Sequence, residues 1–453
     1  MAQINQNQKH IVIIGNGISG ITCARHIRKQ DSDIRITIIS GETEHFYSRT
    51  ALMYIYMGHM KYHHTKPYED HFWGKNRLNL VHDWVTEIDI DNKKLNLEQS
   101  PPIEYDLLVL ALGSKYNTFG WEGKDLKGVQ GLYNYQDLED MEANTRNCQR
   151  AVIVGGGLIG IEMAEMLRSR HIPVTFLVRE KEFWNNILPE DEARLVGRHI
   201  REHHIDLRLE TVLDKIIDDG NGKVKAVITQ SGEVIPCQFV GLGVGVSPNI
   251  SLIQDTPIEV DRGILVDEYF ATNIEGVYAI GDCVQYRNPP PSRPKVEQVW
   301  YTGRMHGETL AYNLTHKPVP YQPGPWFNSA KFLDIEYQTY GVVPCVWKHP
   351  LDSFYWEHPE GKICFRALYD GNSRQLKGVN SMGFRLRHEY FDVLLKRGGT
   401  IEEVISSLHE ASFDQEFAED HHQHILHAFE SQTGIKLYPI KKKRKGLLAL
   451  FGL

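Results

Sequence analysis

Two glycine-rich stretches have the residue types and spacing of a phosphate-binding turn. The first is GNGISG, residues 15–20, and the second is GGGLIG, residues 155–160. In a GxGxxG turn the first glycine permits the tight turn, the second lets a pyrophosphate approach the backbone, and the third permits close contact between helix and strand. The helix that follows presents free N–H groups to the phosphates. These roles fall on Gly15, Gly17 and Gly20 and on Gly155, Gly157 and Gly160.

Each glycine turn lies between an apolar strand and a segment of helical periodicity. Strands are predicted at 11–14 and in IRITIIS, which ends at Ser40, and again at 151–154 and 173–178. This order makes two βαβ units and predicts the α/β class with two Rossmann-like dinucleotide-binding domains. Two cradles imply two dinucleotides, and the simplest chemistry that needs both is electron transfer between a nicotinamide and a flavin.

The composition of the sequence changes near residue 326. Aromatic residues with β-type alternation come first, and amphipathic helical stretches follow near 385–396 and 415–430. We therefore predict a C-terminal α+β domain. The last residues, 441–453, read KKKRKGLLALFGL, a basic run followed by an apolar end.

The bulk composition excludes several function classes. The chain has 453 residues, 41% hydrophobic and 24% charged, with a formal net charge of −8, which does not favour nucleic-acid binding. No apolar run reaches the roughly 20 residues of a membrane-spanning helix. The N-terminal MAQINQNQKH is polar and does not resemble a signal peptide, so we expect a cytoplasmic protein.

The cysteines and histidines do not form a recognisable metal motif. Six cysteines are scattered without a CxxC pair, so neither a metal site nor a local redox disulfide is predicted. DHHQHILH, residues 420–427, is interpreted as the polar face of a helix. We therefore predict that the protein has no metal centre.

The order of motifs along the chain resembles a known superfamily. GxGxxG, YDLLVLALGS (105–114), GGGxIGxE, GLGVGVSPN (241–249) and GVYAIGDC (276–283) resemble the FAD-dependent pyridine nucleotide-disulfide oxidoreductases. The resemblance covers residues 10–325 and implies that the first cradle holds FAD and the second NAD(P)H. It implies an FAD-binding domain, 1–118 and 246–325, an NAD(P)-binding domain, 119–245, and a C-terminal interface domain, 326–437. The basic and apolar residues at the end of the chain add a tail, 438–453.

Two further strings point to a branch of that superfamily without a redox cysteine pair. Residues 45–58, HFYSRTALMYIYMG, contain no cysteine, and Arg49 occupies the slot of the single redox cysteine of some members. Arg49 instead resembles the arginine of YxRPxLSK in ferredoxin, rubredoxin and nitrite reductase flavoproteins. Residues 295–311 resemble their RxExWxxAxxQG string. The resemblance implies that Arg49 lies along FAD and that Glu297 and Trp300 lie beside the flavin where nicotinamide docks.

Other site residues follow from the matched motifs. Asp282 resembles the aspartate that binds the FAD ribityl chain, and Glu162 resembles the glutamate near the nicotinamide amide. Glu42, two residues beyond the second strand, is the candidate for the adenosine ribose. The remaining cofactor candidates are the glycines at strand ends, Gly113, Gly245 and Gly281.

The coenzyme preference depends on two neighbouring charges. Arg179 favours the 2′-phosphate of NADPH, whereas Glu180 repels it. Because Glu180 is available for the ribose hydroxyls, we favour NADH.

The expected function is that of an FAD-dependent NAD(P)H oxidoreductase, in which hydride passes from nicotinamide to flavin and electrons then leave for an acceptor. Three acceptors remain open: a small iron–sulfur protein such as ferredoxin or rubredoxin, a membrane quinone, and another redox subunit. A redox-responsive regulatory flavoprotein resembling apoptosis-inducing factor is the alternative class. The tail favours an anionic membrane surface, which would place the protein peripherally on the inner membrane face. In the resembling reductases the C-terminal domain forms a homodimer or docks the acceptor.

Overall fold

The computed structural model describes residues 8–413 and 419–438. The chain divides into two compact units. One contains the described residues up to Phe183 together with Ile200–Pro323, and the other contains Trp184–His199 and the described residues from Gly324 onward. Both cradles therefore lie in the first unit.

Residues up to 118 surround the first cradle. Their strands and helices, in chain order, are β1 (His10–Ile14), α1 (Ile18–Gln30), β2 (Arg35–Ser40), α2 (Leu52–Tyr56), α3 (His71–Lys75), β3 (Leu78–His82), β4 (Val85–Asp89), β5 (Lys94–Leu97), β6 (Ile103–Glu104), β7 (Leu107–Leu110) and β8 (Ser114–Tyr116). Short 3₁₀ turns lie at Arg49–Ala51 and Tyr62–Thr65.

The next segment surrounds the second cradle and then returns to the first. Its elements are β9 (Val129–Gln130), α4 (Tyr135–Thr145), β10 (Ala151–Val154), α5 (Leu158–Ser169), β11 (Val174–Leu177), α6 (Glu190–Glu202), β12 (Asp206–Arg208), β13 (Leu213–Asp218), β14 (Val224–Thr229), β15 (Val234–Pro236), β16 (Phe239–Leu242), β17 (Val246–Pro248), β18 (Ile264–Val266), β19 (Val277–Ala279), β20 (Val284–Tyr286) and α7 (Trp300–Thr315). Two more 3₁₀ turns lie at Ser251–Ile253 and Gly281–Cys283.

The first cradle lies on a five-stranded parallel sheet. Its strand order is β19-β7-β1-β2-β3, and every neighbouring pair is parallel. The chain enters at the central β1, proceeds outward to β3, and returns to the other side of β1 with β7. Ligands of such doubly wound sheets bind at this reversal, beyond the carboxyl ends of the strands. The fully buried Ile11, Val12 and Ile13 form the middle of its core.

The second cradle lies on a parallel sheet of the same design. The order is β12-β11-β10-β16-β9, again parallel throughout. An antiparallel sheet of β13, β14 and β15 follows it, as the antiparallel β4, β5 and β6 follow the first. The two sheets confirm the predicted α/β class with two Rossmann-like domains.

The second unit is built on an antiparallel sheet. Its elements are β21 (Phe327–Phe332), β22 (Ile335–Gly341), β23 (Leu351–Glu357), β24 (Cys364–Asp370), β25 (Leu376–Met382), α8 (His388–Lys396), α9 (Ile401–Ala411) and α10 (His422–Thr433). The strand order is β21-β22-β25-β24-β23. Phe354 of the sheet, Phe391 of α8 and Phe429 of α10 belong to one buried core, so this unit is of the predicted α+β type.

A buried ion pair joins this sheet to the start of α6. Arg366 donates to Glu192 at 2.7 Å and to Asp191 at 2.5 Å. Glu192 is fully buried, and Asn380 also donates to its carboxylate at 3.4 Å. Removing one partner of such a pair leaves a buried charge without compensation, so these contacts hold Trp184–His199 to the second unit.

Within the described ranges, no helix is both long and apolar enough to cross a membrane. The basic and apolar tail, 438–453, lies outside the described residues except for Tyr438. Residues 415–418 of the helical stretch predicted at 415–430 also lie outside the described residues.

Candidate functional site

The first cradle has the geometry that its three glycines predict. Gly15 has a φ of +110°, and a Cβ there would lie 2.2 Å from the carbonyl oxygen of Ala111. A Cβ on Gly20 would lie 2.1 Å from the carbonyl oxygen of Gly15. A Cβ on Gly17 would have no protein atom within 4 Å. The first and third glycines therefore permit backbone packing, and the second leaves open space directly before α1.

That open space belongs to a cavity of about 740 Å³ in the first unit. It is lined by the cradle, the end of β2, the 3₁₀ turn at Arg49, the Asp83–Val85 segment, the end of β7, the start of α5 and the start of α7. The predicted site residues that line it are Gly15, Gly17, Glu42, Arg49, Gly113, Glu162, Asp282 and Trp300. Those outside its lining are Gly20, Gly155, Gly157, Gly160, Arg179, Glu180, Gly245, Gly281 and Glu297.

Asp282 is an incompletely paired acid on the cavity wall. Its Oδ2 accepts long hydrogen bonds from the hydroxyls of Ser114 at 3.4 Å and Tyr133 at 3.5 Å. Among the described residues, no donor reaches Oδ1. Desolvation raises the pKa of Asp282 to about 6, although Arg49, Ser114 and Tyr133 all lower it. A ligand hydroxyl that donates to this carboxylate would satisfy it, as the ribityl assignment requires.

Glu42 and Arg49 contact each other. The Arg49 guanidinium donates to both carboxylate oxygens of Glu42, at 3.0 and 2.7 Å, and to the carbonyl oxygen of Tyr133 at 2.5 Å. The hydroxyl of Tyr47 and the backbone N–H of Tyr135 donate to the same carboxylate at 2.5 and 3.1 Å. The arginine is therefore oriented from both sides, with its guanidinium carbon 4.6 Å from the centre of the Tyr133 ring.

The second cradle repeats the geometry of the first. Gly155 has a φ of +104°, and its Cβ would lie 2.6 Å from the carbonyl oxygen of Gly243. A Cβ on Gly160 would lie 2.4 Å from the carbonyl oxygen of Gly155, whereas one on Gly157 would meet only an ordinary contact at 3.5 Å. Helix α5 begins at the next residue, and Glu162, its fifth residue, lines the cavity.

The two charges that bear on coenzyme choice are paired with each other. Arg179 is largely exposed and donates to the Glu180 carboxylate at 2.8 and 3.2 Å. Both residues follow β11, and the preceding Val178 is fully buried. The pair therefore lies where the ribose of the second dinucleotide is expected.

Trp300 and Glu297 have different surroundings. Trp300 is the first residue of α7 and an exposed residue of the cavity wall. Glu297 is buried, and its carboxylate accepts a hydrogen bond from Thr302 at 3.1 Å and lies 3.4 Å from the Arg293 guanidinium. Burial raises the pKa of Glu297, while Arg293 and Thr302 lower it. Its expected place beside the flavin remains a prediction.

The three strand-end glycines differ in surroundings. Gly113 lies on the cavity wall with a φ of +69°. Gly245 has a φ of +87° and accepts a backbone hydrogen bond from Asn117 at 3.0 Å. Gly281 donates its N–H to Nδ1 of the buried His306 at 3.1 Å. Burial lowers the pKa of His306 to about 3, so the ring is neutral and can accept this bond.

Several cavity residues carry no motif in the sequence. Ser114, Tyr133 and Gln298 form a hydrogen-bonded wall, in which Gln298 donates to the Ser114 hydroxyl at 2.6 Å and the Ser114 N–H donates to the Tyr133 hydroxyl at 2.7 Å. The exposed Trp84 also lines the cavity. The one sequence signal for this group was the position of Ser114 at the end of YDLLVLALGS.

The histidines near α10 approach one another in the second unit. Ligand atoms of His358, Glu419 and His421 lie within 4.8 Å of one another, and His421 is buried with an unpartnered Nδ1. However, Glu419 is exposed and the N–H of Glu360 donates to Nδ1 of His358 at 3.3 Å. This group therefore has one buried ligand and two weakly placed ones, and the absence of a metal centre stays a prediction.

Two glycine cradles on two doubly wound sheets, with one cavity that reaches from the first cradle to the start of α5, define a two-dinucleotide oxidoreductase. Residues 9–307 match the family model described as pyridine nucleotide-disulphide oxidoreductase. The chain belongs to this family, and its cofactors are FAD and NAD(P)H.

Known relatives agree with this assignment. The chain is 31% identical over 357 residues to rhodocoxin reductase of Rhodococcus erythropolis, covering 76% of this chain and 81% of the relative. It is 25% identical to rubredoxin-NAD(+) reductase of Ectopseudomonas oleovorans, covering 70% and 83%. Its fold is similar to the crystal structure of a ferredoxin reductase from Rhodopseudomonas palustris, with a TM-score of 0.75, 21% identity, and 83% and 91% coverage.

Replacing the middle glycine of each cradle by valine should show which cradle binds FAD and which binds NAD(P)H. At Gly17 the backbone is extended and a Cβ has open space, so Gly17→Val should fold normally but obstruct the pyrophosphate and purify without FAD. Gly157→Val should retain about one FAD per chain but lose reduction by NAD(P)H. Flavin absorbance, circular dichroism and anaerobic reduction measure these outcomes. A Gly17→Val protein with a full complement of FAD would contradict the placement.

Asp282 should make FAD binding dependent on pH. Its pKa is about 6 without the cofactor, and a hydroxyl that donates to the carboxylate would lower the pKa in the complex. Binding then releases a proton below pH 6, so affinity should be constant above about pH 6 and fall by up to about tenfold per pH unit below it. Titrations of flavin-free protein from pH 7 to pH 5 test this. Asp282→Asn should bind more weakly at pH 7 and show little pH dependence; an equal slope in both proteins would exclude Asp282 as the cause.

Proposed function

We propose that this protein oxidises NADH and passes the electrons to a small iron–sulfur protein of the rubredoxin or ferredoxin type. The observation that carries the proposal is the open cavity at Gly17, whose wall continues to Glu162 behind the second cradle and to Trp300. Residues assigned to FAD and residues assigned to NAD(P)H thus line the same cavity. The relatives named as rhodocoxin and rubredoxin reductases support the type of acceptor.

In this proposal the first cradle, with residues 1–118 and 246–325, binds FAD, and the second, with 119–245, binds NAD(P)H. FAD, when bound, accepts hydride from a nicotinamide and can release electrons to an iron–sulfur centre. The N-terminus of α1 binds the pyrophosphate through its backbone N–H groups. Asp282 would accept a hydrogen bond from a ribityl hydroxyl, and Arg49, held in place by Glu42 and the Tyr133 carbonyl, would lie along the cofactor.

The residues on the part of the cavity wall assigned to nicotinamide would orient NADH and limit the access of water to the cavity. Glu162, the fifth residue of α5, lines the cavity and is assigned to the nicotinamide amide. Trp300 supplies apolar surface on the wall at the start of α7. Glu297 would act indirectly, because its carboxylate joins Arg293 of the preceding loop to Thr302 in the first turn of α7, next to Trp300.

A thiol step is unnecessary for this activity. None of the described residues that line the cavity is a cysteine. Cys283, which follows Asp282, is fully buried, and burial raises the pKa of its thiol to about 12. The nucleophilic thiolate is therefore essentially absent at neutral pH, which favours direct electron transfer over disulfide reduction.

The acceptor can be identified by anaerobic kinetics. NADH should bleach the flavin band faster than NADPH, because Glu180 repels a 2′-phosphate, and the reduced protein should then reduce rubredoxin or a [2Fe–2S] ferredoxin. Glu180→Gln should improve NADPH relative to NADH by about tenfold, the effect of a charge interaction near 1.4 kcal/mol. Stopped-flow absorbance with rubredoxin, ferredoxin, a quinone analogue and a disulfide measures both steps. Faster turnover with the quinone or the disulfide would contradict the proposal, and slow reduction with poor turnover for every acceptor would favour a regulatory flavoprotein.

Peripheral membrane binding is a separate proposal that rests on the sequence of the tail. Residues 441–445 carry five positive charges and 447–453 are mostly apolar, a combination that binds anionic lipid surfaces. Membrane binding would give a quinone access to the protein. We further propose, on the resemblance alone, that residues 326–437 form the interface of a homodimer.

Deleting residues 438–453 should separate location from chemistry. Tyr438 is 81% exposed, so the cut should leave the fold and NADH-to-dye electron transfer intact. The full chain should sediment with phosphatidylglycerol vesicles at low salt and less so above 0.1 M, where screening acts over about 10 Å. Glutamine at residues 441–445 should abolish this binding as the deletion does. Equal sedimentation of the full and shortened chains would contradict the role of the tail.

A further inference from the structure

Trp84 is an exposed tryptophan with an unusual neighbour. It is 55% exposed and lines the cavity, yet its indole covers Gly41. A Cβ on Gly41 would lie 2.1 Å from Cδ2 and 2.3 Å from Cε2 of Trp84. A single exposed apolar side chain is common and signals nothing alone. Trp84 differs because its ring lies on the cavity wall and packs directly on a glycine.

The backbone that presents Trp84 is fixed on both sides. The buried carboxylate of Asp83 accepts hydrogen bonds from the N–H groups of Trp84 at 2.8 Å, Gln99 at 3.1 Å and Ser100 at 2.7 Å. The carbonyl oxygen of Trp84 accepts a hydrogen bond from Glu98 at 2.9 Å. The indole is thus presented from an ordered turn, which lowers the entropic cost of stacking a ligand against it.

The location of this turn identifies the part of the ligand that it meets. Strands β2 and β3 are parallel, with Ser40 opposite His82, and the Asp83 N–H donates to the Ser40 carbonyl at 3.1 Å. Gly41 and Trp84 therefore lie just beyond the carboxyl ends of these strands. In doubly wound folds the adenosine half of a dinucleotide extends over the end of the second strand, away from the glycine turn.

We propose that Trp84 provides the stacking surface for the adenine ring of FAD and that glycine at position 41 is what allows the indole to lie there. This inference rests on the proposed placement of FAD in the first cradle. Stacking of a base on an aromatic side chain contributes to affinity without requiring a hydrogen-bond partner. Because FMN has no adenine, Trp84 should select FAD over FMN.

The test compares FAD with FMN on the full chain after removal of its flavin. Trp84→Ala should weaken FAD binding by about 5- to 160-fold, the range expected for one base–aromatic stack, and leave FMN binding unchanged. Trp84→Phe, which keeps an aromatic face, should stay close to wild type. Trp121→Ala is the matched control, because Trp121 packs against Phe119 and does not line the cavity. Affinities come from flavin absorbance, and quenching of tryptophan fluorescence by FAD should be smaller in Trp84→Phe.

A second variant tests the geometry. Gly41→Ala should displace the indole and reproduce the loss of FAD affinity with FMN unaffected, and adding it to Trp84→Ala should cause little further loss. Unchanged FAD affinity in Trp84→Ala, or equal losses for FAD and FMN, would overturn the inference while leaving the proposed function intact. A wild-type chain that binds neither flavin would instead contradict the proposed function.

Discussion

The site depends on a backbone contact that only glycine permits. The turn after β1 runs so close to β7 that a Cβ on Gly15 would lie 2.2 Å from the carbonyl oxygen of Ala111. Gly20 packs equally closely on Gly15. These contacts set where α1 begins, and they leave Gly17 facing open space instead of protein. The cavity walls are positioned relative to this turn, because Asp282 follows β19, which pairs with β7 on the same sheet.

This constraint explains why the sequence reveals the cradles so clearly. Six consecutive residues, 15–20, contain the glycine of the turn, the glycine that lets a phosphate approach and the glycine that permits close contact between helix and strand. Residues 155–160 repeat this pattern. The remaining walls depend on residues distant in sequence. The Arg49 guanidinium meets the carbonyl of Tyr133, 84 positions later, and Ser114 meets Gln298, 184 positions later. No local pattern predicts such pairs, so Tyr133, Gln298 and Trp84 emerge only from the structure.

In the fold, too, some elements follow from local sequence patterns and others depend on contacts between residues distant in sequence. Periodicity predicts β1, β2, β10 and β11 of the parallel sheets and the helix at His388–Lys396, but it does not predict β3, β9 or β12. It does not single out Ile401–Ala411 or reveal that Trp184–His199 belongs with the second unit. That association depends on Glu192, which resembles an ordinary exposed helix residue in the sequence but is fully buried against Arg366, 174 positions away. The sequence therefore predicts the architecture, whereas the assembly of the second unit follows from long-range pairs.

Two of the acids on the cavity wall, Glu42 and Asp282, are not equivalent, although the sequence suggests a cofactor role for both. Glu42 accepts four hydrogen bonds, between 2.5 and 3.1 Å, from Tyr47, Arg49 and Tyr135. A carboxylate has about four lone-pair sites, so the protein itself satisfies most of its capacity. Asp282 receives only two bonds, at 3.4 and 3.5 Å, and desolvation raises its pKa despite these bonds and Arg49. The Glu42 carboxylate is therefore largely occupied in orienting Arg49, and its contact with the adenosine ribose stays a prediction, whereas Asp282 retains the acceptor capacity that a ligand hydroxyl can use.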